Sequence, residues 1–424
     1  MDTKGDSTIN MQDPMVVSTL FKDVIIPIHN NKESARLLRE KTNQITEERN
    51  PIQECYDGIF PNQKKFANDI ADSFTDRRVI NVLALAPTQS GKTGSMVGVI
   101  YEALNRRDLA VPKENIFVFT GLSSCEWVQQ TAHRFPTWMH DRIFHRNKLD
   151  LFIHLLKGRK NVLIIVDEAH IAAKPGQSLF KLYHELQVFD MLKLYNRDIK
   201  IVQFTATPDH LQESLPKLFG QNAHNIVHMV VPKEYVSAWS LWEQKRVCQA
   251  KKLHDEEDPA KALENIREIS QVALTGQPAY HIIRTERGNK HNETIRDFRK
   301  VFSNDNCVFI SEPAVKKNTQ QLITEKPNKN TFIFIKDKLR CAQTINHKWV
   351  RVLYDRLAHK QKKEAIIQGL WGRGTGFHKN KMAVIWTNWE GVQREQGREQ
   401  GDGGEERKGE ARTGEARTGE ENGI

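Results

Sequence analysis

Apolar residues in this chain come in short runs, separated by longer stretches of mixed polarity. Runs at 79–85, 160–166, 199–204 and 225–231 have the length and continuous apolarity of strands covered on both faces. Helix-length stretches lie between them, the first beginning at Ser95. That alternation predicts a mostly parallel sheet with helices on both sides. A second group of runs, at 278–285, 307–310, 332–335 and 381–386, with a helix expected over 292–302, predicts a second α/β lobe. Between the two groups the pattern turns helical. Ala238, Leu241, Trp242, Cys248 and Leu253 fall roughly on one helical face, and 260–274 forms a second such stretch, so a helical connector is expected. Residues 1–55 are polar apart from a strand-like run at 23–28 and read as an N-terminal extension, with a charged helix or linker at 32–50. From Gly391 the composition shifts to Gly, Glu, Arg, Gln and Lys, and Gly-Glu-Ala-Arg-Thr occurs at 409–413 and again at 414–418. Such a segment lacks the apolar surface to offset ordering, so 391–424 is expected to be a disordered tail. Its abrupt onset suggests a truncated or mispredicted reading frame. The expected organisation is a 1–55 extension, a 56–233 lobe, a 234–276 connector, a 277–390 lobe and the tail.

The end of the run at 79–85 carries the most informative chemistry. Ala86-Pro87-Thr88-Gln89-Ser90-Gly91-Lys92-Thr93 follows a strand and precedes a helix, the arrangement of a phosphate-binding loop. The loop from Pro87 to Gly91, through the backbone N–H groups of every residue but Pro87, and the helix N-terminus would face anionic phosphates. Lys92 would reach the β- and γ-phosphates, and the Thr93 hydroxyl would hold Mg²⁺. The run at 160–166 delivers Asp167-Glu168-Ala169-His170 at its carboxyl end, where ligands bind in open α/β sheets. Asp167 would complete the Mg²⁺ site, and Glu168 would polarise an attacking water. The run at 199–204 ends in Thr205-Ala206-Thr207-Pro208.

With these three motifs in this order the chain resembles the superfamily 2 helicases and translocases, whose motifs I, II and III read A-x-x-x-x-G-K-T, D-E-x-H and T-A-T. The resemblance implies two RecA-like P-loop lobes, nucleic-acid-dependent hydrolysis of ATP with Mg²⁺, and further site residues. Gln63, in Phe60-Pro61-Asn62-Gln63, would read the adenine ring. Thr120 and Gly121 sit where motif Ia contacts a nucleic-acid backbone. His170 would link motif II to the other motifs, and Thr205 and Thr207 would couple the nucleotide site to the strand groove. The 368–377 segment resembles motif VI, with Gln368 in the catalytic set and Arg373 as the arginine finger. It departs from Q-x-x-G-R-x-x-R by one extra residue before Gly372-Arg373 and by Gly376 in place of the second arginine. Arg340 and Lys338 near a motif V-like strand, with Arg284, Arg287, Lys290 and Arg296, are basic candidates for the strand groove. The segment at 121–130 and the Q-G-L-x-G-R-x-T-G pattern lend a likeness to DEAH-type helicases of large DNA viruses and mobile elements, which favours DNA over RNA.

Charge adds a little. The 424 residues carry a formal net charge of +10 with a pI near 9.2, which suits a polyanionic partner. The five cysteines are widely spaced and the 16 histidines show no metal-ligand spacing, so neither a zinc site nor a disulfide framework is expected. No apolar run approaches the ~20 residues of a bilayer span, and no secretory signal opens the chain; an intracellular protein is expected, nuclear or cytoplasmic. Two other readings use the same motifs: a helicase relic that binds nucleic acid without turnover, and the motor subunit of a restriction-type nuclease.

Overall fold

The computed structural model describes residues 51–123, 125–171, 177–187, 196–207, 209–315, 319–336, 345–357, 366–377, 380 and 382–388. By compactness the chain divides into Met1–Gly58 and Ile59–Ile424. In the first unit, residues 51–57 are helical. The remainder of the expected extension and the 391–424 tail lie outside the described residues.

Within the second unit the described residues build two six-stranded sheets. The first contains β1 (Asn81–Leu85), β2 (Ile116–Thr120), β3 (Ile143–His145), β4 (Val162–Asp167), β5 (Ile199–Thr205) and β6 (His224–His228), in the order β3-β2-β4-β5-β1-β6. All its pairings are parallel, so every crossover spans the sheet and all carboxyl ends share one edge. Helices α1 (Pro61–Ser73), α2 (Lys92–Asn105), α3 (Cys125–Ala132), α4 (Leu149–Leu156), α5 (Ser178–Glu185) and α6 (Asp209–Phe219) belong to this lobe. Strands β1, β2, β4 and β5 are buried along their whole length, as continuous apolar runs require. One face packs Phe119, Phe152, Ile164, Ile201 and Tyr183 into a single core. Each such fully buried side chain is worth roughly 1.5–3 kcal/mol.

Polar residues inside this sheet are satisfied by one another. Asn81 donates from Nδ2 to His224 Nδ1 at 2.7 Å and accepts at Oδ1 from Gln203 Nε2 at 2.7 Å, while Gln203 Oε1 accepts from Tyr183 Oη at 2.7 Å. The ladder crosses β6, β1 and β5 and fixes their register.

The second sheet runs β7 (Val247–Gln249), β12 (Val384–Thr387), β11 (Val350–Tyr354), β8 (Tyr280–Arg284), β10 (Thr331–Ile335), β9 (Val308–Ser311), again all parallel. Alternate residues feed two cores: Ile282, Ile333, Leu353 and Ile385 on one face, Ile283, Phe332, Val352 and Trp386 on the other. The 234–276 segment is not a separate helical connector. It holds α7 (Ala238–Glu243), then β7, then α8 (Pro259–Ala273), and Cys248 lies in a strand hydrogen-bonded to β12. Leu241 and Val247 join one core of the second lobe, and Leu253 joins the other. A three-residue strand is too short to show a period of two, and a helical period fits the same apolar spacing by chance. Helix α9 (Asn289–Val301) covers the second core through Ile295 and Phe298.

Two histidines, His281 fully buried and His224 partly so, make the fold sensitive to acid. Burial pushes His224 down to about 4 and His281, in β8 against Phe332, down to about 3. Their folded pKa values lie below the ~6.5 of an unfolded chain, so the unfolded state takes up protons first as pH falls. Stability is therefore complete above pH ~6.5 and declines from there towards pH ~4. Urea midpoints measured across that range should fall, and His281→Gln should flatten the decline.

Candidate functional site

The strand order puts the carboxyl ends of β1, β5 and β4 side by side, and the three loops that follow them converge. The loop after β1 closes on Gly91, the N-cap of α2, in the left-handed region at φ +97°. A Cβ there would lie 1.7 Å from Gln63 Nε2, so only glycine fits. Gln63 itself is buried. Its Oε1 accepts from Phe60 N at 2.9 Å and its Nε2 donates to Gly91 O at 3.0 Å. The residue expected to read a base therefore braces the loop as well as lining the cleft.

Asp167 and Glu168 are 4 % and 2 % exposed, a depth at which two adjacent carboxylates need compensation. It arrives from several elements. Lys92 Nζ lies 3.4 Å from Glu168 Oε1, and His170 Nδ1 lies 3.6 Å from Glu168 Oε2. Trp127 Nε1 donates to Asp167 Oδ2 at 2.8 Å, and Glu168 N donates to Asp167 Oδ1 at 2.9 Å. Burial, then the charge of Glu168, pushes the Asp167 carboxyl up to about 7. Burial acts on Glu168 in the same sense, yet the charges of Lys92, His170 and Arg373 hold it below its ordinary value. The pair thus separates into one reluctant and one firmly ionised carboxylate. Glu168 also has φ +51°, an uncommon conformation for a residue with a side chain, and it is held there by these contacts.

Thr205 and His170 share a hydrogen bond of 3.1 Å between Oγ1 and Nδ1, and Thr207 N donates to Thr205 Oγ1 at 3.1 Å. Motifs II and III are therefore in direct contact. Pro208 lies outside the described residues.

Arg373, 2 % exposed, comes from the second lobe and reaches the same cleft, where its charge acts on Glu168. The cleft has a volume of about 390 Å³. The motif VI-like segment kinks within Ile367–Trp371, where Gly369 leaves helical geometry at ψ −149°. Asp355 holds that kink. It accepts Leu370 N at 3.3 Å while paired with Arg284 at 2.7 and 2.8 Å, all buried. Gly376, where the family pattern has a second arginine, has φ +112°, and a Cβ there would meet Gln89 Cβ at 3.0 Å. The backbone closes where that arginine would begin.

A second link between the lobes centres on one carbonyl. Thr88 O accepts from Tyr235 Oη at 2.6 Å and from Thr375 Oγ1 at 2.9 Å, and Val236 and Gly376 form an antiparallel bridge. Phe377 lies between Phe60 and Tyr235, ring centroids 5.5 Å from each, tilted against the first and edge-on to the second. None of these aromatic partners stood out in the sequence, because each lies far along the chain from the loop it touches. The helix-face spacing of Trp127, Gln130 and Thr131, all lining the cleft, was a signal that could have been read.

Some expected nucleic-acid contacts are corrected. Thr120 is fully buried and donates from Oγ1 to Asp167 O at 3.1 Å, and Gly121 is buried beside it, so this stretch supports the acidic loop from inside. Arg284 is engaged with Asp355 rather than lying on a surface groove. Lys290 pairs with Glu286 at 3.3 Å, while Arg287 and Arg296 are exposed. Lys338 and Arg340 lie outside the described residues, as does the side chain of Gln368.

The donor set fits a magnesium-bound triphosphate. Each Asp167 oxygen accepts one protein hydrogen bond and retains a lone pair, and Thr93 lines the cleft beside it. Thr88 Oγ1 and Gln89 Nε2 are buried polar atoms in the loop that no described group satisfies. Because the backbone closes at Gly376, Gly376→Arg should lower stability by about 1–3 kcal/mol. Thermal unfolding would register the loss, and no gain in function should accompany it.

No family model matches the chain. It is 27 % identical over 351 residues to an uncharacterized protein of Acanthamoeba polyphaga mimivirus, across 77 % of this chain and 84 % of that one. Among solved structures it is similar to the DEAD-box helicase Mss116 bound to single-stranded RNA and UDP-BeF, with TM-score 0.51 and 14 % identity over 80 % of this chain and 72 % of the other. It is also similar to the E. coli DExH-box NTPase HrpB, with TM-score 0.49 and 11 % identity over 78 % and 41 %. The two parallel sheets, their order and the likeness to Mss116 agree: the chain has the two-lobed α/β fold seen in that helicase.

Proposed function

We propose that this protein is a nucleic-acid-stimulated ATPase of the helicase or translocase type. The observation that carries this reading is the convergence of Lys92, Asp167, Glu168 and Arg373, from both lobes, on one cleft. Lys92, Thr88, Gln89 and the α2 N-terminus would bind the triphosphate. Thr93 and Asp167 would hold Mg²⁺, which would supply charge neutralisation between the β- and γ-phosphates. Glu168 would orient and polarise the attacking water. In the present arrangement Lys92 neutralises Glu168 at 3.4 Å. Drawing Lys92 to phosphate removes a cation that keeps Glu168 a weak base, so substrate binding itself sharpens the base.

Arg373 would meet charge developing on the γ-phosphate. Hydrolysis removes the group that both lobes hold, and the lobes then move apart. Thr205 and Thr207, bonded to His170, would pass that change towards the bound strand. Support for a strand partner comes from the fold, the basic balance of the chain, and a structural neighbour that binds single-stranded RNA. The likeness to helicases of large DNA viruses favours DNA, and a mimivirus relative agrees with it.

ATP turnover measured alone, with single-stranded DNA and with single-stranded RNA tests the reading. DNA should stimulate most. Glu168→Gln should lower kcat by roughly 10²–10⁴-fold and leave nucleotide binding nearly intact. Arg373→Ala should lower it by roughly 10³-fold or more. Nucleotide binding without turnover in the unaltered protein would instead favour an inactive nucleic-acid-binding relic, and hydrolysis indifferent to either polymer would indicate another kind of ATPase.

A further inference from the structure

Helix α3 presents Trp127, Gln130 and Thr131 to the cleft, the spacing of one helical face, and Arg134 in the turn after it lines the same cleft. Trp127 is 4 % exposed, and its indole N–H donates to Asp167 Oδ2 at 2.8 Å. The other carboxylate oxygen accepts the backbone N–H of Glu168 at 2.9 Å. Thr120 Oγ1 donates to the Asp167 carbonyl at 3.1 Å and accepts Leu122 N at 3.3 Å, which ties the chain entering α3 to the end of β4. A carboxylate held at both oxygens cannot rotate about its terminal bond. Each oxygen keeps one lone pair, and the plane of the group decides where those lone pairs point.

We propose that Trp127 is a positioning residue that sets the orientation of Asp167 for a divalent cation, and that α3 is thereby a wall of the metal–nucleotide site. The inference rests on the nucleotide reading above and adds to it a residue outside the three strand-end motifs. The indole N–H does work here that its ring does not. Removing the donor while keeping the ring leaves a buried carboxylate oxygen without a partner and able to turn away from the cleft. A hydrogen bond to a charged group of this kind corresponds to roughly a tenfold or greater change in an equilibrium constant.

The test titrates Mg²⁺ against binding of a fluorescent N-methylanthraniloyl-ADP, and repeats the titration with Mn²⁺, reading the electron paramagnetic resonance signal of the unbound ion. In Trp127→Phe the half-saturating concentration of each cation should rise roughly tenfold. A second protein, with Trp127 replaced by β-(3-benzothienyl)alanine, keeps the bicyclic shape and lacks the N–H; it should show the same rise, which a role in packing alone would not produce. An unchanged or lower midpoint in the benzothienyl protein overturns the assignment. If the unaltered protein binds no nucleotide at any cation concentration, the nucleotide reading itself fails and the inference falls with it. Cation-dependent binding that ignores the N–H sinks the inference alone.

Discussion

Two adjacent carboxylates at the end of a central strand, almost fully withdrawn from water, are the constraint around which the first lobe is arranged. A buried carboxylate costs several kcal/mol unless it is paired and hydrogen-bonded. Here the compensation comes from four directions: Lys92 from the loop after β1, Trp127 from α3, His170 from the next turn, and Arg373 from the second lobe. Each partner stands on a different element, so the elements must be positioned together for the pair to be tolerated. The parallel order β4-β5-β1 does this, because it lines up three carboxyl ends within reach of one another.

The compensation is unequal, and the inequality sets the two carboxylates apart. Glu168 receives most of the positive charge and stays ionised, whereas Asp167 is raised by burial and by the charge of Glu168, against which Lys92 and two N–H donors act only in part. Donors that are not cations orient a carboxylate without neutralising it, so its charge remains available to a metal. Cations that are mobile, as the Lys92 ammonium is on its four-carbon stem, can be withdrawn by an incoming polyanion.

The lobes are joined where the chemistry is. Tyr235, at the entry to the second lobe, and Thr375, beside Arg373, donate to the same Thr88 carbonyl. A shift of the second lobe is therefore felt by the phosphate loop and by the arginine together. Asp355 anchors the far side of the same segment by holding both Arg284 and the bulged turn at Gly369. The irregular motif VI-like segment is thus a supported structure, with a kink at Gly369 and a glycine at 376 where the neighbouring loop leaves little space.

Several features were legible in the residues themselves. The strands at β1, β4 and β5 announced themselves because buried parallel strands are continuous apolar runs, and the chemistry follows directly at their carboxyl ends: Lys92, Asp167, Glu168, Thr205. Local sequence carries such motifs because backbone geometry and a few adjacent side chains are sufficient to form them. It did not reveal that 247–249 is an edge strand, since three residues hold no period. Nor did it reveal that Thr120 faces inward or that Arg284 is spent on Asp355, because a side chain's direction and partner depend on which strand lies beside it. The sequence by itself determined the two groups of strands, their order along the chain and the candidate site residues at the strand ends. Tertiary structure alone decided how those groups are charged and held, through Trp127, Tyr235 and Asp355, because burial and pairing are properties of residues brought together from distant parts of the chain.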